Sequence, residues 1–387
     1  MWVPKTEEEI INAVTGGFVE ESPIFDAKKD LPQKNQEIAK DIAAMATDGG
    51  VLIYGIDEDV NGRPTILNPI PLANQPERIT SIVQTSIAEP PFISIATVPT
   101  ISNQSIGYII VVVPASERAP HMVIVKGEHR YYGRTAKGNR LLNEAEVARL
   151  YERRKLLEVD RDKMVEEEIK QAPVPNNPDS AYLYLVVRPV FRSDDILSKV
   201  VPSSERWEKV FNDFILSVRK SEIDPIDYYP KLRIAGRWTK RTEGFRGNLC
   251  GEGTSEPTSI LNLQIDFDGS GHFFCGRAAQ KHEGKLYFIP SLVAGNTKLF
   301  LALFGMIYDK AQYVGLVDVG VALTGLLGSV PPVDNYYSHF TPYDRNEYRR
   351  TARVSAQMLE NDSKSVTRQL LKPLIDAMSQ GQIDPFK

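Results

Sequence analysis

The chain has 387 residues, 42% hydrophobic and 25% charged, with a formal net charge of −4. That length favours two domains over one core, and the composition is that of a soluble globular protein. The acidic balance argues against a uniformly basic nucleic-acid coat, and no run of about 18 apolar residues occurs, so no membrane association is expected. The start, MWVPKTEEEI, lacks the pattern of a signal peptide. The two cysteines, Cys250 and Cys275, have no CxxC spacing and read as buried thiols of a cytoplasmic protein.

The charge is unevenly placed. Residues 1–59 hold 5 Lys/Arg against 13 Asp/Glu, and residues 118–155 hold 10 against 4. An acidic centre beside a basic face suits phosphate capture.

In chain order, Thr6 before Glu7, Glu8 and Glu9 reads as an N-cap, opening a helix that Gly16-Gly17 ends. Ile24 to Lys28 reads as a strand. Ile38, Ile42, Met45 and Ala46 recur at helical spacing, which predicts an amphipathic helix over 35–47. A strand is expected over 51–56, a turn over 57–62, a helix over 75–88 and strands over 92–100 and 106–114. His121 to Tyr132 reads as a hairpin turning at Lys126-Gly127. Asn143 with Glu146 forms a capping box for a charged helix reaching about residue 170. These elements predict a mixed α/β (α+β) domain over 1–170. A proline-rich linker over 171–180 and a second α/β domain over 181–387 follow. Strands are expected there over 182–190, 259–267, 285–290 and 313–317, with helices over 204–220, 344–358 and 364–379. The apolar stretch 299–307 reads as a core helix.

Several motifs that announce a chemistry are absent. There is no GxxxxGK[ST] phosphate loop, no HExxH and no GxSxG elbow. Asp266-Phe267-Asp268-Gly269 starts like a calcium loop, but its twelfth position is Arg277, so a hairpin turn is expected.

Three segments carry the chemistry that remains. The first is Glu21-Ser22-Pro23-Ile24-Phe25-Asp26-Ala27-Lys28, in which a strand would put Asp26 and Lys28 on one face. The second runs from Ala43 through Thr47-Asp48-Gly49-Gly50 to Gly55-Ile56-Asp57-Glu58. The third is Arg130-Tyr131-Tyr132-Gly133-Arg134-Thr135. By pattern alone the acids fit a solvated surface or a salt bridge better than a metal site. Lys126, His129, Arg130, Arg134, Lys137 and Arg140 interleave with Tyr131 and Tyr132, the mixture that phosphate contact and base stacking require.

Together, over about residues 10–155, these segments resemble the Schlafen-type AlbA-like domain. That family shows ExxxxE-F-K, a helix ending A-x-A-N-T-x-G-G, a strand ending G-V-D-D, and a closing Y-x-R-x-G hairpin. Asp26 stands here for the second Glu, Ala27 for Phe, and Thr47-Asp48 for Asn-Thr. The resemblance implies a mixed α/β fold that binds RNA or DNA. In nuclease members it also implies three acids holding a divalent metal that cleaves RNA, notably transfer RNA. Carried over, the ligands are Glu21, Asp26 and either Asp57 or Glu58, with Mg²⁺ or Mn²⁺ suited to such oxygen donors. Lys28 would steady charge at the phosphate. The nucleic-acid contacts would be Lys126, His129, Arg130, Tyr132, Arg134, Lys137 and Arg140. Vertebrate members pair two such modules, so one copy here implies a homodimer. The functions in play are a metal-dependent endoribonuclease, a non-catalytic nucleic-acid-binding regulator, and a sensor or scaffold acting through the second domain.

Overall fold

A computed structural model describes residues 2–17, 22–59, 63–125, 128–135, 138–171, 179–190, 196–201, 206–221, 232, 237–248, 257–331, 342–379 and 384–386. It divides into two compact units, Met1–Glu158 and Val159–Lys387. The expected boundary, 171–180, falls largely outside the described residues.

The first unit is mixed α/β. It runs α1 (Glu7–Thr15), β1 (Phe25–Lys28), α2 (Asn35–Met45), β2 (Gly50–Tyr54), β3 (Ile56–Glu58), β4 (Pro64–Leu67), β5 (Ile70–Pro71), α3 (Gln75–Ser86), β6 (Ile87–Ala88), β7 (Ser94–Pro99), β8 (Ile106–Val113), β9 (Met122–Val125), β10 (Glu128–Thr135), β11 (Gly138–Leu141) and the start of α4 (Glu144–Lys170). Local signals set several ends. The Thr6 hydroxyl accepts from Glu9 N–H, and Asn143 and Glu146 exchange side-chain and backbone bonds as a reciprocal cap. The strand expected over 51–56 is interrupted at Gly55, whose φ of +108° a side chain rarely adopts. Beyond it β3 pairs with β4, where a turn over 57–62 was expected.

One sheet has the order β1-β2-β8-β5, with β7 also on β8, and a second has the order β11-β10-β9-β6. In the first, β1 and β2 run parallel, Asp26 lying beside Leu52 and Lys28 beside Tyr54. Ile38, Ile42 and Met45 of α2 share one core with Leu52 and Tyr54 of β2, Val111 of β8, Val123 of β9 and Tyr132 of β10. The helix is thereby packed on both sheets, and any polar group on its inner stripe must be satisfied there.

The second unit begins with the end of α4. It continues with β12 (Ser180–Pro189), α5 (Trp207–Ser221), β13 (Arg237–Lys240), β14 (Gly244–Asn248), β15 (Leu261–Asp266), β16 (Gly271–His282), β17 (Lys285–Phe288), α6 (Pro290–Lys310), β18 (Leu316–Thr324), β19 (Glu347–Ser355) and α7 (Ala356–Ser379). The sheet order is β13-β14-β15-β16-β12-β18-β19, with β17 also on β16. Leu185, Leu263, Phe273 and Val321 on one face join Phe211 of α5, Phe300 of α6 and Leu370 of α7 in the core. The other face packs Tyr182, Tyr184, Phe274 and Ala322 against Met164 and Val165 of α4. The helix comes close at Gly320, where an added Cβ would stand 2.5 Å from Val165 Cγ2. Helix α6 is long and apolar enough to cross a membrane, but most of it is buried as the core helix that the 299–307 stretch suggested. The Asp266–Gly269 segment is the β15–β16 turn, with Gly269 at φ +82°. Cys275 is buried, its thiol donating to the Arg277 carbonyl at 3.5 Å; Cys250 lies outside the described residues.

The helix expected over 344–358 is instead strand β19 followed by the start of α7. Residues 347–355 alternate, Tyr348, Ala352 and Val354 facing the core while Arg349, Thr351 and Arg353 face away. Full pairing with β18 supplies the backbone bonds that a helix would have supplied. It also brings Arg353 onto Asp318, with bonds of 2.6 and 2.7 Å between largely buried groups. Arg353→Met removes that bidentate pairing and is expected to cost about 3–5 kcal/mol, while Asp318→Leu/Arg353→Met restores stability to within roughly 1 kcal/mol of wild type. Urea unfolding followed by Trp207 and Trp238, both in this core, measures the pair. Equal losses in the single and double variants would contradict the assignment.

Candidate functional site

Strand alternation puts Asp26 and Lys28 on the same face of β1, and that face points inward. Asp26 is 4% exposed. Its Oδ2 accepts from Arg134 Nη1 at 2.8 Å and pairs with Lys28 Nζ at 3.2 Å. Lys28 Nζ lies 3.7 Å from Asp41 Oδ2 on α2, whose Oδ1 accepts from Asn139 Nδ2 at 2.6 Å. Arg134 and Asn139 are cross-strand partners on β10 and β11. One position of the hairpin therefore closes both carboxylates.

The electrostatics follow from burial. Burial opposes the Lys28 charge, but Asp41 and Asp26 outweigh it and raise its pKa, so the ammonium stays charged. Burial pushes Asp41 up to about 6, against the pull of Lys28 and Asn139. Tyr54 lies beside Lys28 in the sheet register, its buried Oη without a hydrogen-bond partner among the described residues. Burial, then Asp41 and Asp26, push that phenol well above its usual range, so it stays neutral.

The acids expected to share a metal have other partners or surroundings where they are described. Asp57 pairs with Lys29 at 2.8 Å, and Glu58 is exposed at the end of β3. Glu21 lies outside the described residues. Among the described residues no three Asp, Glu, His or Cys side chains converge as a cation site. A Mg²⁺ or Mn²⁺ at Asp26 would have to displace two cations that already satisfy it, so this arrangement does not fit the metal.

The basic hairpin also divides. Arg134, with its side chain 6% exposed, is an internal ion-pair partner rather than a surface phosphate contact. Tyr132 is buried, with Lys40 Nζ 5.5 Å from its ring centroid, and offers no stacking face. Arg140 makes a bidentate pair with Glu146 at 2.8 and 2.5 Å. His129 and Arg130 are exposed, and Lys126 and Lys137 lie outside the described residues. On the outer face, two residues from His129, Tyr131 bonds to Tyr151 of α4 (Oη–Oη 3.0 Å), their rings edge to face at 6.5 Å. Tyr151 is 40% exposed, and exposed Lys155 follows one helical turn later.

Sequence reasoning passed over Asp41, Asn139, Tyr151 and Lys155. Asp41 alone left a signal, because it interrupts the apolar stripe Ile38–Ile42–Met45.

A mixed α/β domain with an internal acid–base cluster and a basic hairpin is the class that these features define. Residues 21–143, about a third of the chain, match the family described as Schlafen, AlbA_2. A solved structure similar to the chain is the solution NMR structure of the N-terminal domain of a RecG-related protein from Nitrosomonas europaea. It is 17% identical, with 32% of this chain and 84% of that one covered and a TM-score of 0.25. No curated protein matches the chain.

Asp41 makes the cluster pH-dependent. Its folded pKa of about 6 lies above the ordinary 3.8, so the folded state binds the proton more tightly. Its contribution is most favourable below pH ~4, falls as pH rises to ~6 and is flat above, for a total of up to roughly 3 kcal/mol. His121, which burial lowers to about 4, acts oppositely in the same window. The wild-type minus Asp41→Asn difference in unfolding free energy isolates Asp41. It is expected to fall by roughly 2–3 kcal/mol between pH 4 and 6.5, and a constant difference would refute the buried acid.

Proposed function

We propose that the N-terminal domain is a nucleic-acid-binding module that uses the outer face of β10 with the first turns of α4. The observation that carries this is half-buried Tyr131 bonded to exposed Tyr151, flanked by His129 on the strand and Lys155 on the helix. Aromatic faces for bases beside cations for phosphates make a sequence-tolerant nucleic-acid surface. The match to the Schlafen, AlbA_2 family supports the same reading. Stacking needs unpaired bases, so we favour RNA with exposed loops, such as tRNA, over DNA duplex. A second copy in a homodimer would double the phosphate contacts and strengthen binding.

Binding without cleavage is the reading we favour. Metal-dependent cleavage through Asp26 would require the release of Lys28 and Arg134, and each would then be a buried charge without its carboxylate.

Fluorescence anisotropy with labelled tRNA and a DNA duplex tests this at two salt concentrations. Wild-type protein is expected to bind tRNA the more tightly, with salt-sensitive affinity. His129→Ala/Lys155→Ala should reduce the salt slope by about 1–2, and Tyr151→Ala should weaken tRNA binding by roughly 1–3 kcal/mol. Indifference to all three changes would place the interface elsewhere. Mn²⁺-dependent tRNA cleavage that Asp26→Asn abolishes would overturn the non-catalytic reading in favour of the endoribonuclease.

A further inference from the structure

We propose that the C-terminal unit holds a binding pocket for a small molecule bearing a carboxylate or phosphate, with Arg246 as its anchor. The pocket is an open recess on the polar face of the large sheet, and Glu168, Arg246, Asn262, Gln264 and His272 line it. The register puts Arg246, Gln264 and His272 in one row across β14, β15 and β16, with Asn262 on the same face of β15. Tyr184 and Phe274 add an aromatic wall.

The charged groups here are unequally satisfied. His272 donates from Nδ1 to Glu168 Oε2 at 2.6 Å and from Nε2 to Asp266 Oδ2 at 3.1 Å. Gln264 Nε2 donates to the other Asp266 oxygen at 2.9 Å. Burial disfavours charge on His272, but the bonds to Asp266 and Glu168 prevail and raise its pKa to about 10, so the ring is an imidazolium. One cation thus binds both carboxylates, and each is oriented toward the ring. Arg246 is half-buried and makes no ion pair among the described residues. Burial lowers its pKa. Glu168, which acts on it through space, is already engaged by His272, so this half-buried guanidinium, in no ion-pair contact among the described residues, is a planar fork suited to an oxyanion. The Asn262 carboxamide and Gln264 Oε1, also without partners among the described residues, would hold the ligand's neutral hydrogen-bonding groups.

The full chain is titrated with sodium phosphate and with sodium succinate, followed by thermal unfolding and calorimetry, against NaCl at equal ionic strength. One or both probes should raise the unfolding temperature of the second unit by about 3–6 °C at tenfold excess over Kd. A response to phosphate assigns the pocket to phosphorylated ligands, and a response to succinate assigns it to organic acids. Arg246→Met should abolish the shift, and Arg206→Gln, at an exposed site on α5's N-terminal side, should keep it. Without probe, Arg246→Met should unfold no earlier than wild type, because burial disfavours the charge that it removes and no ion-pair contact among the described residues is broken. The proposal fails if neither probe acts beyond NaCl or if Arg246→Met responds as wild type does. A probe-free loss of several degrees in Arg246→Met would show a structural arginine and also overturn it.

Discussion

Asp26 Oδ2 lies between Lys28 Nζ and Arg134 Nη1, and the surface of the N-terminal domain follows from that shared contact. A carboxylate this deeply buried costs several kcal/mol unless cations reach it, so the strand that carries Arg134 has little freedom of register. A slip of one residue would turn Arg134 outward and leave Asp26 with Lys28 alone. With Arg134 inward, alternation sends Tyr131 and His129 to the other face. The bond from Asn139 to Asp41 fixes the neighbouring strand in the same sense. An internal ion cluster thereby decides which aromatic and cationic groups meet solvent.

The C-terminal unit solves a related problem. Its sheet has one apolar face, covered by α5, α6 and α7, and one face that mixes apolar and charged side chains. Gly320 lets α4 sit close enough to cover the apolar part of that second face. The polar remainder is ordered by His272, which satisfies Glu168 and Asp266 together, while Arg353 satisfies Asp318. Arg246 makes no ion-pair contact among the described residues, and it lines the pocket.

What was legible in the sequence was local. Thr6, the Asn143–Glu146 box and the Asp266–Gly269 turn are short-range signals, and each element forms where they point. The AlbA-like domain was recognised because several such signals occur in order. The site was less legible because strand direction is a tertiary property. Arg130 and Arg134 look alike along the chain and alternate onto one face of β10, yet Arg134 lies over a buried acid and Arg130 is exposed. Residues 344–358 read as a helix because their arginines masked a period-2 pattern that the β18 pairing makes plain. Asp57 was grouped with Asp26 by sequence spacing, whereas its ion partner in space is Lys29.

Hydrogen exchange in Asp26→Asn, which keeps the side chain's shape and removes its charge, tests most directly whether the buried pair fixes the hairpin. Amides of 128–135 and 138–141 should exchange at least about tenfold faster than in wild type, the consequence of losing roughly 1.4 kcal/mol or more of local stability, while β2 and β8 keep their protection. Unchanged protection across β10 and β11 would contradict the account.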